Sequence, residues 1–567
     1  MALIQAALVL REGFRDARFE AATRDPARAQ ARVLARLLAR NRDTAFGREH
    51  RFAALAGAAD YRTAVPMRDY EGFRPYVRQM LAGQGGVLTA APPVMFTITS
   101  GSTGEPKMIP VTAAWREELA QLNRLWLLRA LRDHRACLDG KTLFVASPAV
   151  EGHTEGGVPL GAMSGVSYQR MPWVVRRQAS IPYAVCLLAD YQARYFATVR
   201  LALGASLSII ATPNPSTLIR LAETLRAHGP AMVRAVADGT LGLPGAPVFG
   251  AHVDAEARAK AEAQLAAALR PDPARARALE AVLAAHGELR PAAVWPALRL
   301  IGCWLGGSAG LQAGGLARHY GDVPLRDLGL IASEGRMTIP VEDGSPAGVL
   351  AVHRNFYEFV AEEGIEDAAP PVALAHELEV GRRYYLVLTG GNGLYRYDIN
   401  DIVEVRGFHN RTPQVAFVRK GRDVASITGE KLHLNHVQAG VRAAERRLGV
   451  QVWQLALIPD VEASRYHLLV ELAGALPLPS ADAAFLETFE ATVAGLNEEY
   501  AQKRASARLR APQLHWMRAG WSEAASRAEF GRGRCDFQFK WQVMRERWDD
   551  ASRAHVARAS ALEPAAP

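Results

Sequence analysis

Apolar residues recur every three or four positions through ARAQARVLARLLARN (27–41), with arginines between them and Asn41 and Asp43 as a stop. That spacing predicts an amphipathic helix, and the N-terminal quarter as a whole reads as helical. The opening MALIQAALVLREGFRD carries nine mostly apolar residues after Met1, with no basic region before them and no small-residue cleavage site after them. It reads as the first helix of the fold rather than a signal peptide. In the middle, TLFVASPAV (142–150), SLSIIATP (206–213) and LRLIGCWLGG (298–307) look like buried strands ending in turn-forming residues. Between them DYQARYFATVRLAL (190–203) and STLIRLAETLRAHG (216–229) look helical. Strands alternating with helices predict a parallel α/β sheet. The stretch DAEARAKAEAQLAAALRPDPARARALEAVLAAHGELR reads as two helices broken at Pro271 and Pro273.

From about residue 348 the texture changes. GVLAVHRNFYEFV, YYLVLTG, LYRYDINDIVEVRGF and PQVAFVRKG are short, aromatic and β-branched, which predicts an antiparallel, barrel-like section. After RKGRD (419–423) mixed character returns. VWQLALIPD and RYHLLVELAG read as strands, ADAAFLETFEATVAGLNEEYAQKRAS as one helix, and the closing ASALEPAAP as a frayed end. The predicted class is α/β. A large N-terminal domain (1–421) of α/β subdomains plus the barrel-like section precedes a smaller, mobile C-terminal α/β domain (422–567).

A chain of 567 residues exceeds one compact core, which agrees with two domains. No stretch of 18 uncharged apolar residues occurs, so no membrane span is expected. The four cysteines, Cys137, Cys186, Cys303 and Cys535, form no CxxC pair, which argues against a disulfide framework or structural zinc and fits a reducing cytoplasm. The net charge of +9 resides largely on arginines of helical stretches. A solvated face explains it, and no zinc-finger, RRM or KH signature supports nucleic-acid binding.

The sharpest chemical signal is TITSGSTGEPKMIPVT (97–112), directly after the strand-like VMFTI. A phosphate-binding loop needs small residues so that backbone N–H groups can approach oxygen anions, hydroxyl donors, and a cation. Thr99, Ser100, Gly101, Ser102, Thr103, Gly104 and Lys107 supply all three. The Walker A pattern cannot be matched here.

Read as SGSTGEPK, this string resembles the nucleotide loop of the acyl-adenylate-forming superfamily. RDTAFGREHRF (42–52), YRTAVPMRDYEGFRPYVRQMLAG (61–83), EGGVPLGAMSG (155–165), NPSTL (214–218), LGLIASEGRMTIPV (328–341), FYEFV (356–360) and YRYDINDIVEVRGFHNRTPQVAFVRKGR (395–422) narrow the resemblance. Over roughly residues 40–540 they follow the order of the Gretchen Hagen auxin-responsive family of acyl-acid amido synthetases. The resemblance implies ATP and Mg²⁺. Ser333 would lie near the α-phosphate, and Glu334 would hold Mg²⁺ or orient the nucleotide. Asp401 would accept from the ribose hydroxyls, with Asp398 as alternative. Asn400 stands where the family usually has Gly, and Asn tolerates a left-handed backbone. Lys540, in CDFQFKWQVM, and Lys431, in SITGEKLHLN, resemble family lysines that would complete the site; the Pro-Arg expected after Lys540 is missing.

The implied reaction joins a small-molecule carboxylic acid to an amine such as an amino acid, through an acyl-adenylate. A thiol acceptor and a nucleotide-binding protein without turnover are the alternatives. Met163, Tyr168 and Trp173 are candidate acyl-pocket residues, while oligomeric state and both substrates stay open. His433 and His436 have no evident third zinc ligand. GGNG (390–393) reads as a turn before a strand, and no Ser-His-Asp set can be assembled.

Overall fold

The computed structural model describes residues 2–99, 107–243, 245–307, 309–365, 370–421, 424–425, 427, 430, 432–505, 509–530, 541–545 and 547–562. These fall into two compact units, Met1–Phe417 and Val418–Pro567.

The first unit begins with helices Ala2–Arg24 and Pro26–Asn41. In the second of these, the Asp25 carboxylate accepts the Arg28 amide at 3.0 Å and Pro26 occupies the first turn, where its missing N–H costs nothing. Val33, Leu34, Leu37 and Leu38 are buried, while Arg28, Arg32, Arg36 and Arg40 face solvent, as the periodicity requires. The buried stripe joins a core in which Phe46 stacks on Tyr395 at 4.9 Å and on Phe73 at 5.9 Å.

The α/β middle is a four-stranded parallel sheet. Lys141–Phe144, Leu207–Ala211, Leu300–Gly302 and Leu325–Arg326 lie side by side in that order. Each strand is shorter than its apolar run suggested. The helix expected at 216–229 extends over Pro215–Asp238 and runs through Pro230. Helices Ala255–Ala268 and Pro273–His286 flank the Pro271–Pro273 break. A second sheet orders Lys107–Thr112, Pro93–Thr99, Pro159–Gly161 and Gly152–His153. The barrel-like section is a seven-stranded antiparallel sheet built from residues 338–420. Its longest strands are Tyr397–His409 and Thr412–Lys420.

In the second unit, strands Val452–Asp460, Arg465–Leu472, Gln513–Met517 and Val556–Ala561 form one sheet. Helices Leu434–Leu448 and Ala481–Leu496 pack closely because Gly440 has no side chain; a Cβ there would stand 2.7 Å from Phe489 Cδ2. The single helix expected from Ala481 onward is broken at Asn497, whose side-chain Oδ1 accepts the Tyr500 amide at 2.9 Å and caps a new helix. The end of the chain also departs from expectation, since residues 559–561 are the last rungs of a strand. Buried Asp482 anchors them. It accepts Arg558 Nε at 2.9 Å, Arg558 Nη2 at 2.7 Å and Trp516 Nε1 at 2.7 Å. No helix among the described residues is long and apolar enough to cross a membrane.

Candidate active site

Three segments far apart in sequence meet around one tyrosine hydroxyl. The first is the hairpin of Pro93–Thr99 and Lys107–Thr112, in which Lys107 pairs directly with Thr99. Ser100, Gly101, Ser102, Thr103 and Gly104 lie outside the described residues. Lys107 is therefore the first described residue on the return strand. Tyr70 pins that strand: its hydroxyl accepts the Met108 amide at 2.7 Å and donates to the Met108 carbonyl at 3.0 Å. The Lys107 ammonium lies 5.7 Å from the Tyr70 ring centre and 5.9 Å from that of Tyr397, within cation–π range.

The second segment follows the C-terminal end of the parallel strand Leu325–Arg326, where ligands of open α/β sheets bind. Asp327 accepts the Leu305 amide at 2.6 Å and the Gly329 amide at 2.5 Å, tying together the loops that leave two neighbouring strands. Burial pushes its carboxyl up to about 6, against those hydrogen bonds. Beyond it, Ile331–Ala332 and Gly335–Arg336 form a tight hairpin with Ser333 and Glu334 at its tip. Glu334 is buried, and Asn392 Nδ2 donates to its backbone carbonyl at 3.2 Å. Among the described residues, Glu334 Oε2 makes no hydrogen bond.

The third segment is the start of the long strand at Tyr397. Asp398 faces Val387 and Ile402 faces Tyr385, so residues 399–401 stand against a single partner residue. This is a bulge, a device that re-aims side chains beside functional sites. Asn400 takes the left-handed conformation there (φ 59°), and its amide donates to Asp398 Oδ1 at 2.7 Å. Asn thus supplies the turn for which Gly is commoner. Buried Asp401 closes the bulge. Arg68 laces the strand from outside: its amide donates to the Arg396 carbonyl at 3.1 Å, and its carbonyl accepts the Asp398 amide at 2.8 Å.

Tyr397 unites the three. Its hydroxyl donates to Glu334 Oε1 at 3.1 Å and accepts from Lys107 Nζ at 3.3 Å. Burial, reinforced by Glu334, Asp398 and Asp401, drives its pKa far above the ordinary tyrosine value, so the hydroxyl keeps its proton.

The structure thus brings together Lys107 and Glu334, with Ser333 at the same turn and Thr99 opposite Lys107. Asp401 and Asp398 flank the bridging tyrosine. Lys431 and Lys540 lie outside the described residues. Sequence reasoning missed Tyr397, Tyr70 and Asn392. Asn392 sits in the GGNG segment read as a plain turn, and only its contact with residue 334 marks it. Tyr168 is a core residue rather than an evident pocket wall, with its hydroxyl donating to the Ile181 carbonyl at 2.6 Å. Trp173 is exposed, and Met163 packs against a cluster of Met95, Val111 and Trp115. A depression of 510 Å³ lined by Asp133, His134, Trp295 and Arg299 opens at the opposite, N-terminal ends of the parallel strands. Arg326 takes up Asp133 and Asp343 takes up His134, so the depression has no part in this site.

The residues suit a magnesium nucleotide. Among the described residues one Glu334 carboxylate oxygen has no hydrogen bond, Lys107 stands at the foot of a loop whose sequence is rich in glycine and hydroxyls, and two aspartates lie on an adjoining bulge. An acidic group plus substrate phosphates is the usual magnesium environment.

A loop-bearing hairpin, an acidic turn after a parallel strand and a bulged acidic strand thus frame the candidate site. The chain matches the GH3 family N-terminal domain over residues 15–325, the GH3 family central domain over 348–420 and the GH3 family C-terminal domain over 435–547. It belongs to the GH3 family. It is 28% identical over 530 residues to a probable indole-3-acetic acid-amido synthetase, GH3.4, of Oryza sativa subsp. japonica, covering 87% of this chain and 82% of that one. It is 25% identical over 482 residues to the jasmonoyl–L-amino acid synthetase JAR6 of Nicotiana attenuata, covering 80% of each. Among solved structures, GH3.15 acyl acid amido synthetase superposes with a TM-score of 0.82 at 19% identity, over 96% of both chains. A 2-hydroxyisobutyryl-CoA ligase shares the fold more distantly, with a TM-score of 0.52 at 13% identity over 94% of this chain and 92% of that one.

Proposed function

We propose that this protein uses ATP to activate a carboxylic acid as its acyl-adenylate and then passes the acyl group to an amine such as an amino acid, releasing AMP. Family membership supports the reaction class, and relatives named as amido synthetases support the amine as acceptor. The observation that carries the site assignment is the meeting of Lys107 and Glu334 at the Tyr397 hydroxyl, beside the Asp401 bulge.

In this reading the 99–107 hairpin holds the phosphates, with Lys107 balancing their charge and Ser333 beside the α-phosphate. Asp401 takes the ribose hydroxyls. Glu334 would hold Mg²⁺, which when bound supplies charge neutralisation on the phosphates. The substrate carboxylate attacks the α-phosphorus and the bond to pyrophosphate breaks; the amine nitrogen then attacks the acyl carbon, AMP departs and the amine gives up a proton. No enzyme nucleophile takes part, so catalysis rests on positioning and charge stabilisation. Lys431 and Lys540 complete the assignment as cations for the transferred and leaving groups. They belong to a mobile domain at 422–567, while residues 1–421 bind ATP and the acid. The buried thiols of Cys137, Cys186 and Cys303 form no disulfide among the described residues, which supports a reducing compartment such as the cytoplasm.

The test is acid-dependent ATP–pyrophosphate exchange over aromatic, indolic, fatty and jasmonate-like acids, followed by product analysis with amino acids and with thiols. Amide products support the reading. Thioesters would reassign the acceptor, and nucleotide binding without exchange would leave a binding protein.

A further inference from the structure

The helix Pro26–Asn41 contains no acidic residue, and its solvent side is a row of Arg28, Arg32, Arg36 and Arg40, all exposed. Positions four apart advance about 6 Å along a helix, so the row is about 18 Å long. Like charges at that spacing repel and destabilise a helix. The core uses the other side, with Val33, Leu34, Leu37 and Leu38, and would be served as well by mixed or uncharged residues outside.

The basic surface continues past the helix. Arg36 Nη2 donates to the Arg354 carbonyl at 3.2 Å and lies 3.8 Å from Glu118. Burial lowers the Arg354 pKa; Glu118 opposes this, and the like charges of Arg36, Arg18 and Arg15 add to it. Arg18, which is exposed on the helix Ala2–Arg24, therefore shares one electrostatic neighbourhood with Arg36. The acidic groups of that helix end are taken up elsewhere: Glu20 by Arg129 and His409, and Asp25 by the Arg28 amide. Phe14, one turn before Arg18, is 74% exposed. Helix positions four apart share a face, so the ring stands on the side of Arg18. In sequence this helix opens with ALIQAALVL, nine residues without a charge.

We propose that this face is a docking surface for a lipid bilayer bearing anionic headgroups, with Arg18 and the arginine row meeting the headgroups and Phe14 entering the interfacial layer. A basic row on a rigid helix suits an extended anionic surface, and each arginine near such a surface contributes about fivefold in binding. The duplex of a nucleic acid would also attract the arginines. It offers no place to an exposed aromatic ring beside an uncharged apolar run, whereas a bilayer interface does. Adsorption of this kind needs no spanning helix.

The measurement is co-sedimentation of the full chain with extruded vesicles of phosphatidylcholine containing about 30% phosphatidylserine, beside vesicles of phosphatidylcholine alone. The wild type should bind the first and not the second, and raising salt to about 0.5 M should release it. Replacing Arg28, Arg32 and Arg40 together by Gln should weaken binding about a hundredfold, three factors of about five. The same three positions as Lys should stay within about threefold of wild type, because charge rather than shape is read. Phe14→Ala should cost about tenfold on vesicles and nothing on a mixed-sequence DNA duplex. Equal binding to both vesicle types, or none to either, overturns the proposal, and so does a triple Gln variant that binds like wild type. Tighter binding to the duplex than to the anionic vesicles, unchanged in Phe14→Ala, would also overturn it and make the face a nucleic-acid surface. Urea unfolding accompanies each variant. Should the triple Gln variant fail to fold, the wild type's choice between the two vesicle types and its response to salt decide.

Discussion

The buried pair of Arg396 and Glu358 offers a quantitative test of how the fold holds its site. The Glu358 side chain is only 1% exposed and takes Arg396 Nε at 2.9 Å on one oxygen and Arg62 Nε at 3.0 Å on the other. Glu358→Gln keeps the shape and removes the charge. Arg62 can turn outward, its side chain being 28% exposed, but the Arg396 side chain, 8% exposed, cannot reach water. Removing one partner of a buried ion pair typically costs about 3–5 kcal/mol, because it strands the other charge. The variant should therefore lose about 3 kcal/mol in equilibrium urea unfolding of the first unit. Amide hydrogen exchange should rise at residues 395–398, and adenylation should weaken through the displaced Tyr397. Adding Arg396→Met should recover part of the stability, because no unpaired charge remains. A loss under about 1 kcal/mol, or full additivity of the two changes, would refute the idea that this pair sets the strand entering the site.

Other consequences are equally specific. Asn392→Ala removes the donor to the Glu334 carbonyl and should cost about 1 kcal/mol in stability together with a drop in turnover, read from urea unfolding and exchange kinetics. Burial pushes the Glu20 carboxyl up, but hydrogen bonds from Arg129 and His409 prevail and hold it down at about 2. Its folded value being depressed, it adds stability above about pH 4.5 that disappears as pH falls toward about 2; Glu20→Gln should flatten that part of the melting-temperature profile. Gly440→Ala should destabilise the second unit by about 1–3 kcal/mol, seen by calorimetry, because its methyl group meets the Phe489 ring.

Much of this was legible in the residues, for identifiable reasons. The stripe of Val33, Leu34, Leu37 and Leu38 follows from local spacing, and so do the strand cores at Leu143, Ile209 and Ile301. Boundaries were less legible because tertiary contacts set them. The strand Val556–Ala561 depends on Arg558 reaching Asp482, 76 residues earlier, and no periodicity in an Ala-rich tail announces that. At the site, the loop, Glu334 and Asp401 stood out by composition and by resemblance. Tyr397 did not, because its role comes from partners 63 and 290 residues away in sequence. The same holds for Asn392, whose turn looks ordinary until its amide is seen on Glu334.

The most direct test of the central claim is acid-dependent ATP–pyrophosphate exchange by the wild type beside Lys107→Ala, Glu334→Ala and Asp401→Ala. The account predicts exchange with one class of carboxylic acid and a fall of about a hundredfold or more in the Lys107 and Glu334 variants, with chain folding intact. Exchange that persists undiminished in all three variants would contradict it.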